Sequence, residues 1–293
     1  GCNQFCTYCI IPYARGRVRS RQTKDVLEEV RDLAGNGYKE VVLTGIHLSS
    51  YGIDFDGQRH LLDLIKEVHK VEGIERIRLG SLEPGIITEE FAKELSEMPK
   101  VCPHFHLSLQ SGCDATLKRM NRKYTSGEYY DRCQILRKYF DHPALTTDVI
   151  VGFPGETEED HEILMQFVDD MEFDRLGVFA YSPEEDTPAF SFENQVPEEV
   201  KQERRDEIME LQQEIAFEKS EAMKGRTLEV MIEGKVADEN AYVGRTYMDS
   251  PNVDGLIFVN TGLSLMSGDF LKVRVTGASE YDLIGEAEDE FTE

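Results

Sequence analysis

The feature that most constrains the fold is an alternation of short apolar runs and amphipathic stretches between residue 25 and about residue 180. Five segments predict β-strands: 41–43, 76–79, 104–109, 146–151 and 176–180. Helical stripes lie between the strands, at 26–33, 61–68, 91–98 and 127–140. A further helix is predicted to begin after Thr157, which is a good N-cap. Repeated strand–helix units predict a parallel sheet with helices outside, closed into a full or partial barrel. Ligands of such α/β barrels bind at the carboxyl ends of the strands.

The C-terminal third predicts a different architecture. A long charged helix is expected over residues 197–221, and after Gly225 short strands alternate with Gly, Asn, Asp and Ser. Such a pattern is typical of a small all-β module, and we expect a five-stranded barrel. The predicted domains are therefore residues 1–220 and residues 221–293. The acidic end, residues 286–293, is expected to be a frayed tail.

Composition and charge restrict the functional classes. The 293 residues carry a net charge of −25, with a pI of about 4.7. The sequence contains no apolar run of about 18 residues, the length needed to span a bilayer. No signal peptide is visible. We therefore expect a cytoplasmic protein without a membrane partner. An acidic surface repels phosphate backbones unless a local basic patch compensates, and it suits a basic protein partner.

Three of the six cysteines lie within nine residues. Cys2, Cys6 and Cys9 can converge from one loop, whereas a disulfide framework would need secretion. A 4Fe–4S cluster normally takes four thiolates, so three would leave one iron free to bind a small molecule. A zinc site would need a fourth Cys or His nearby, and the nearest histidine is His47. The spacing therefore favours an iron–sulfur cluster.

The other cysteines and histidines carry no motif. Cys102, Cys113 and Cys133 are scattered, so we expect buried thiols. Three histidines are candidate ligands or acids, although a core or surface position is the simpler interpretation for each: His47, His104 and His106.

The spacing Cys-x-x-x-Cys-x-aromatic-Cys, here Cys2, Cys6, Tyr8 and Cys9, resembles the signature of radical S-adenosylmethionine (SAM) enzymes. Further motifs are similar to the MiaB/RimO/MtaB family of methylthiotransferases: residues 1–16, 43–47, 107–112, 117–120 and 148–156. The resemblance implies that the three cysteines hold the catalytic cluster, which reduces SAM to give a radical that abstracts hydrogen from a substrate. It also implies that Tyr8 lies near adenine and places other SAM contacts at Thr44, Gly45, Glu83, Gln110, Arg119, Gly152 and Gly155.

The resemblance also implies a fold and partners. The expected fold class is α/β, a radical SAM partial (β/α) barrel followed by a small all-β TRAM-like barrel that grips substrate. The family carries an additional N-terminal domain with three more cysteines and a second 4Fe–4S cluster, and we expect this chain to be a fragment without it. A flavodoxin or ferredoxin would be the electron donor.

The expected substrate depends on which half of the chain is compared. Residues 1 to about 155 look most like MtaB, which modifies threonylcarbamoyl-adenosine beside the anticodon of tRNA. Later residues look most like RimO, which modifies an aspartate of ribosomal protein S-twelve, so the chain could be a chimera. From Glu221 onward there are 15 acidic and six basic residues, which favours the ribosomal protein. Residues 1–24 hold five basic residues, between 15 and 24, and no acid. This patch could meet the phosphates of tRNA or could equally offset the negative charge of the cluster. A non-catalytic iron–sulfur protein that docks on the ribosome or tRNA is the alternative from another class.

Overall fold

The computed structural model describes residues 1–56, 60–237 and 239–288, and its first unit is an open barrel of parallel strands. The strands are β1 (Glu40–Leu43), β2 (Arg76–Leu79), β3 (His104–His106), β4 (Ala144–Val151) and β5 (Arg175–Ala180). β1 pairs with β2, and β4 lies between β3 and β5, in parallel throughout. Single bridges at Ile77–Val101 and Leu82–Leu107 join the two groups. The predicted partial (β/α) barrel is therefore confirmed.

In the described part of the chain, eight α-helices accompany the strands, and short 3₁₀ turns cover 48–50, 84–86 and 188–191. The helices are α1 (Ile11–Ala14), α2 (Thr23–Gly35), α3 (Leu61–His69), α4 (Glu89–Ser96), α5 (Asp114–Arg119), α6 (Ser126–Tyr139), α7 (Glu158–Met171) and α8 (Glu198–Ala222). The hydroxyl of Thr157 accepts a hydrogen bond from the backbone N–H of Asp160, so the predicted N-cap of α7 is confirmed. The apolar faces of α2, α3, α4, α6, α7 and α8 and of the strands form one continuous core.

The strand predicted over residues 104–109 ends early. β3 stops at His106, and beyond it the chain makes isolated bridges, the last of them between Gln110 and Val149. Gln110 adopts φ +70°, a left-handed conformation that cannot continue a strand. The Tyr124 hydroxyl bonds the carbonyls of Ser108 and Leu109, at 2.5 and 2.9 Å. Buried and partly exposed side chains still alternate from His106 to Leu109, but the backbone turns toward Tyr124.

The C-terminal unit is a closed five-stranded barrel, as predicted. Its strands are β6 (Thr227–Lys235), β7 (Ala241–Arg245), β8 (Ile257–Asn260), β9 (Phe270–Ser279) and β10 (Asp282–Ala287), in the order β10-β8-β7-β6-β9. Glu286 pairs with Arg274 of β9 and Asn260 of β8. The frayed-tail prediction is therefore wrong for Glu286 and Ala287, and residues 289–293 lie outside the described part.

The two barrels meet at the amino ends of β1 and β2. Glu40 lies 2.9 Å from Nη1 of Arg245 and 3.1 Å from Nε of Arg78, and Arg76 is 3.8 Å away. Arg78 also donates to the carbonyl oxygens of Thr246 and Tyr247, at 2.6 and 2.7 Å. These buried contacts anchor the C-terminal barrel on the first one. Within the described residues, no helix has both the length and the apolar character needed to cross a bilayer.

Candidate functional site

The cysteine loop is anchored at both of its ends. The backbone N–H of Cys2 donates to the carbonyl oxygen of Gly16 at 3.0 Å, and that of Thr7 donates to the carbonyl oxygen of Met120 at 3.0 Å. Phe5 has φ +53°, and its carbonyl accepts a 2.8 Å hydrogen bond from the side chain of Asn121. The end of α5 therefore fixes the shape of the loop, although it lies more than 100 residues away in sequence.

Each of the three thiols lies near a hydrogen-bond donor. The backbone N–H of Gln4 is 3.4 Å from Sγ of Cys2, and Nη1 of Arg122 is 3.3 Å from Sγ of Cys6. Burial raises the pKa of Cys9, the backbone N–H of Ile11 opposes this increase, and the other two thiols add to it. The three sulfurs therefore share one electrostatic environment.

The donor set fits an iron–sulfur cluster better than a single metal ion. Among residues 1–56, 60–237 and 239–288, no group of three or more His, Cys, Asp and Glu side chains could hold a metal ion. A cluster binds each thiolate to a different iron, so its ligands stand farther apart than those of a single ion. All three cysteines are free thiols, and hydrogen bonds to their sulfurs would offset the negative charge of a cluster.

Arg122 is a residue that the sequence did not single out. Its guanidinium is 5% exposed and donates to Cys6, to both carboxylate oxygens of Glu83 at 2.8 and 2.9 Å, and to the Tyr124 hydroxyl at 2.9 Å. Nε2 of His47 lies 3.8 Å from Glu83 and 3.2 Å from the Gln4 side chain. The position of Arg122 between Asn121 and Lys123, in a polar run, gives no signal in the sequence that its side chain is buried.

His47 belongs to the same network. Burial lowers its pKa, against the opposing influence of Glu83. A neutral ring can accept from the Gln4 amide at Nε2 and donate to the Ser50 hydroxyl from Nδ1. His47 is thus a half-buried positioning group between the cysteine loop and Glu83.

Three of the predicted SAM contacts lie beside the cysteine loop or the end of β1. The Tyr8 ring packs edge-on against Phe153, with centroids 6.3 Å apart, and burial raises its pKa. Thr44 and Gly45 directly follow β1 and line a groove with Gly1 and His47. These positions would offer hydroxyl and backbone groups near the cysteines.

Of the other predicted contacts, Gln110, Gly152 and Gly155 follow β3 and β4, and Arg119 is the last residue of α5. Glu83 follows β2 and pairs with Arg122. Gln110 bridges to Val149, as described above. Arg119 is 2.6 Å from Asp160 in an ion pair, and the Gly155 position lies against it. The N–H of Gly152 donates to Glu156, and that of Gly155 to the carbonyl of Asn194. Both glycines would therefore offer carbonyl oxygens rather than N–H groups to a ligand.

The interior of the first barrel is polar and open. A cavity of about 720 Å³ is lined by residues of β1 to β5 and of α8, and by residues within 250–255 and 280–282 of the second barrel. His106 lies 3.4 Å from Asp148 and 3.0 Å from the Thr146 hydroxyl. Within the described residues, both ring nitrogens of the buried His104 lack a hydrogen-bond partner. These two histidines line the cavity, away from the cysteine loop, and Cys102, Cys113 and Cys133 are buried as predicted.

An open parallel barrel with three loop cysteines at one end defines the class of protein. The chain belongs to the radical SAM superfamily, which matches residues 1–168, and residues 225–287 match the TRAM domain. Enzymes of this superfamily use a 4Fe–4S cluster together with SAM.

The chain is similar along almost its whole length to proteins named ribosomal protein uS12 methylthiotransferase RimO. The protein from Lachnoclostridium phytofermentans is 48% identical over 288 residues, which are 98% of this chain and 66% of that protein. The one from Desulfitobacterium hafniense is 45% identical over 286 residues, 98% of this chain and 64% of that protein. This chain therefore spans just under two thirds of these relatives. Each of these two relatives aligns with both halves of the chain, residues 1 to about 155 and the later residues, which look most like different branches of the family.

Solved structures of lower identity share the fold. The radical SAM methyltransferase TsrM from Kitasatospora setae matches with a TM-score of 0.53 and 19% identity, over 64% of this chain and 37% of that one. Coproporphyrinogen III oxidase (HemN) from Escherichia coli matches with a TM-score of 0.53 and 15% identity, over 73% and 50%. These likenesses agree with the open parallel barrel.

Proposed function

We propose that this chain is the catalytic and substrate-gripping part of a radical SAM methylthiotransferase that acts on an aspartate of ribosomal protein uS12 in the cytoplasm. The observation that carries the proposal is the joint one: 48% identity to a RimO protein over 98% of the chain, with its three thiols gathered in one anchored loop. Cys2, Cys6 and Cys9 would hold the cluster. When bound, the cluster supplies the electron that cleaves SAM.

The protein's own residues have defined tasks in this proposal. Arg122 fixes Glu83 at the end of β2, and His47 and Gln4 hold the cysteine loop against it. Tyr8, Thr44, Gly45 and the strand ends would surround SAM. The cavity inside the first barrel would admit the substrate side chain.

The charge of the C-terminal barrel supports a basic protein substrate. Four of its six basic side chains are already paired with acids, namely Lys224, Arg226, Arg245 and Arg274. The excess of acids therefore dominates this surface, and it would repel a phosphate backbone while attracting a basic ribosomal protein.

The basic segment near the cysteine loop favours a second candidate, tRNA. Five cations occur between residues 15 and 24, and all are exposed. Two of them are engaged within the protein, because Arg17 stacks over the Phe5 ring at 4.1 Å and Arg21 pairs with Glu29. The remaining three, Arg15, Arg19 and Lys24, are fewer than the phosphate contacts of a typical nucleic-acid interface.

The catalytic assignment is tested by reconstituting the full chain with iron and sulfide under anaerobic conditions. We expect about four irons per chain, and 5′-deoxyadenosine after SAM and dithionite are added. Cys6→Ala should abolish cleavage, whereas the buried Cys102→Ala is the matched control and should retain it. Cleavage by Cys6→Ala would refute the cluster assignment, and iron uptake without any cleavage would favour the non-catalytic alternative.

The substrate assignment is tested by fluorescence anisotropy of the full chain with labelled uS12 and with labelled tRNA. We expect tighter binding to uS12, with a preference that weakens as salt screens the acidic surface. Reversing Arg15 and Arg19 to Glu should leave uS12 binding intact. Tighter binding of tRNA at every salt concentration, lost in the reversed variant, would transfer the assignment to tRNA.

A further inference from the structure

Arg122 is placed to act on the electronic properties of the cysteine site. Its guanidinium is nearly inaccessible to solvent and lies 3.3 Å from Sγ of Cys6. Of the donors near the three sulfurs, those for Cys2 and Cys9 are neutral backbone N–H groups, from Gln4 and Ile11. The contact to Cys6 is therefore the one among these three that brings a full positive charge.

The position of Arg122 is fixed by several partners at once. Both oxygens of Glu83 accept from Nη2, the Tyr124 hydroxyl lies 2.9 Å from Nε, and the guanidinium stacks over the Tyr124 ring at 4.9 Å. Tyr124 is in turn held by the backbone carbonyls beyond β3. A long side chain held in this way loses little further entropy when it bonds a sulfur.

We propose that Arg122 sets the reduction potential of the cluster held by Cys6 and its two neighbours, with Glu83 as the counter-charge that limits the effect. Reduction adds one negative charge to the cluster, and a buried cation bonded to a ligand sulfur stabilises the reduced form. The carboxylate of Glu83 stabilises the oxidised form instead. Arg122 is thus a positioning and tuning residue, and the inference rests on the cysteine assignment proposed above.

The two charges predict shifts of opposite sign. Arg122→Met removes the cation and leaves the carboxylate, so reduction becomes less favourable. We expect the equilibrium constant for reduction to fall about tenfold, which corresponds to about 59 mV for a one-electron couple. Glu83→Gln leaves the cation without its counter-charge and should shift the potential upward. Arg122→Lys keeps the charge without the fork and should fall between wild type and Arg122→Met.

The measurement is a redox titration of the reconstituted full chain, followed by electron paramagnetic resonance in the absence of SAM. The matched control is Arg132→Met, which removes the same charge from a side chain bonded to the carbonyl of Ile87 at 2.9 Å. We expect no shift in that control. Iron content is measured for the wild type and every variant. A wild type that takes up no iron refutes the cysteine assignment, and the tuning role is judged on variants with the iron content of the wild type.

Two results would overturn the inference. One is an unchanged potential in Arg122→Met with full iron content. The other is a downward shift in Glu83→Gln, which would mean that the carboxylate does not act as a counter-charge. If Arg122→Met fails to fold, the sign of the Glu83→Gln shift and the position of Arg122→Lys still decide the question.

Discussion

Glu40 is the most sensitive position at the junction of the two barrels, and Glu40→Gln is the perturbation we develop. The carboxylate is 7% exposed and has three arginines within 4 Å: Arg76, Arg78 and Arg245. The guanidinium groups also donate to carbonyl oxygens of the second barrel. Replacing the carboxylate with an amide preserves the shape but removes the counter-charge of the buried Arg76 and Arg78, whereas Arg245 keeps its ion pair with Glu233.

The expected cost follows from what remains after the change. Removing one partner from a buried ion pair destabilises a protein by about 3–5 kcal/mol, because the other charge stays buried. For a chain of this size, each kcal/mol lowers the melting temperature by about 2 °C, so we expect a decrease of roughly 6–10 °C. Calorimetry of the chain without cofactors would measure it. The two barrels need not unfold together, so their transitions must be resolved separately.

A matched control and a double-mutant cycle make the test decisive. Glu94→Gln removes a carboxylate that pairs with Lys66 at the surface, and it should change stability by less than about 1 kcal/mol. The double variant with Arg245→Met should cost less than the sum of its two single changes, because those side chains are in direct contact. Strict additivity, or a Glu40→Gln effect no larger than the control, would refute the argument.

Two further predictions concern pH and backbone conformation. Burial, reinforced by the charge of Arg78, lowers the pKa of His104 to about 4, so on acidification the unfolded chain protonates first. The stability contribution is present above about pH 6.5 and is lost as pH falls toward 4, at about 1.4 kcal/mol per pH unit within that window. Urea unfolding at pH 7 and pH 4.5 should show that the free energy of unfolding depends less on pH in His104→Gln than in the wild type, and an equal dependence would contradict this. The other charged or titratable groups that act on His104 are Asp254, His106 and Arg175. Gly152→Ala combines φ +67° with overlap on Lys201 and should cost about 2–4 kcal/mol, against about 1 kcal/mol for Gly155→Ala, and equal melting temperatures would refute the difference.

The sequence predicted the features whose signals are local. Strand and helix periods show directly in the spacing of hydrophobic residues. Three cysteines within nine residues predict an iron–sulfur site without any information on tertiary contacts. The site's remaining parts depend on distant contacts. Arg122 reaches Cys6 across 116 positions, and Arg76 reaches Arg245 across 169. No pattern around Arg122 distinguishes it from the exposed Lys123, since burial of that arginine is decided by Glu83 and Tyr124.

The strands around the interior of the first barrel carry a sequence signal that a search for hydrophobic periodicity alone does not use. Buried parallel strands are usually apolar on both faces, yet here three strands have polar residues at alternate positions, and β5 begins with a further one: Arg76 and Arg78, His104 and His106, Thr146 and Asp148, and Arg175. Their apolar neighbours point toward the helices and form the core. Polar residues repeated at matching positions of adjacent strands therefore indicate that the barrel interior is not filled by packing. Arg76 and Arg78 bind the second barrel, and Arg78 also lines the cavity together with polar residues of β3 to β5, so this pattern locates both the junction and the cavity.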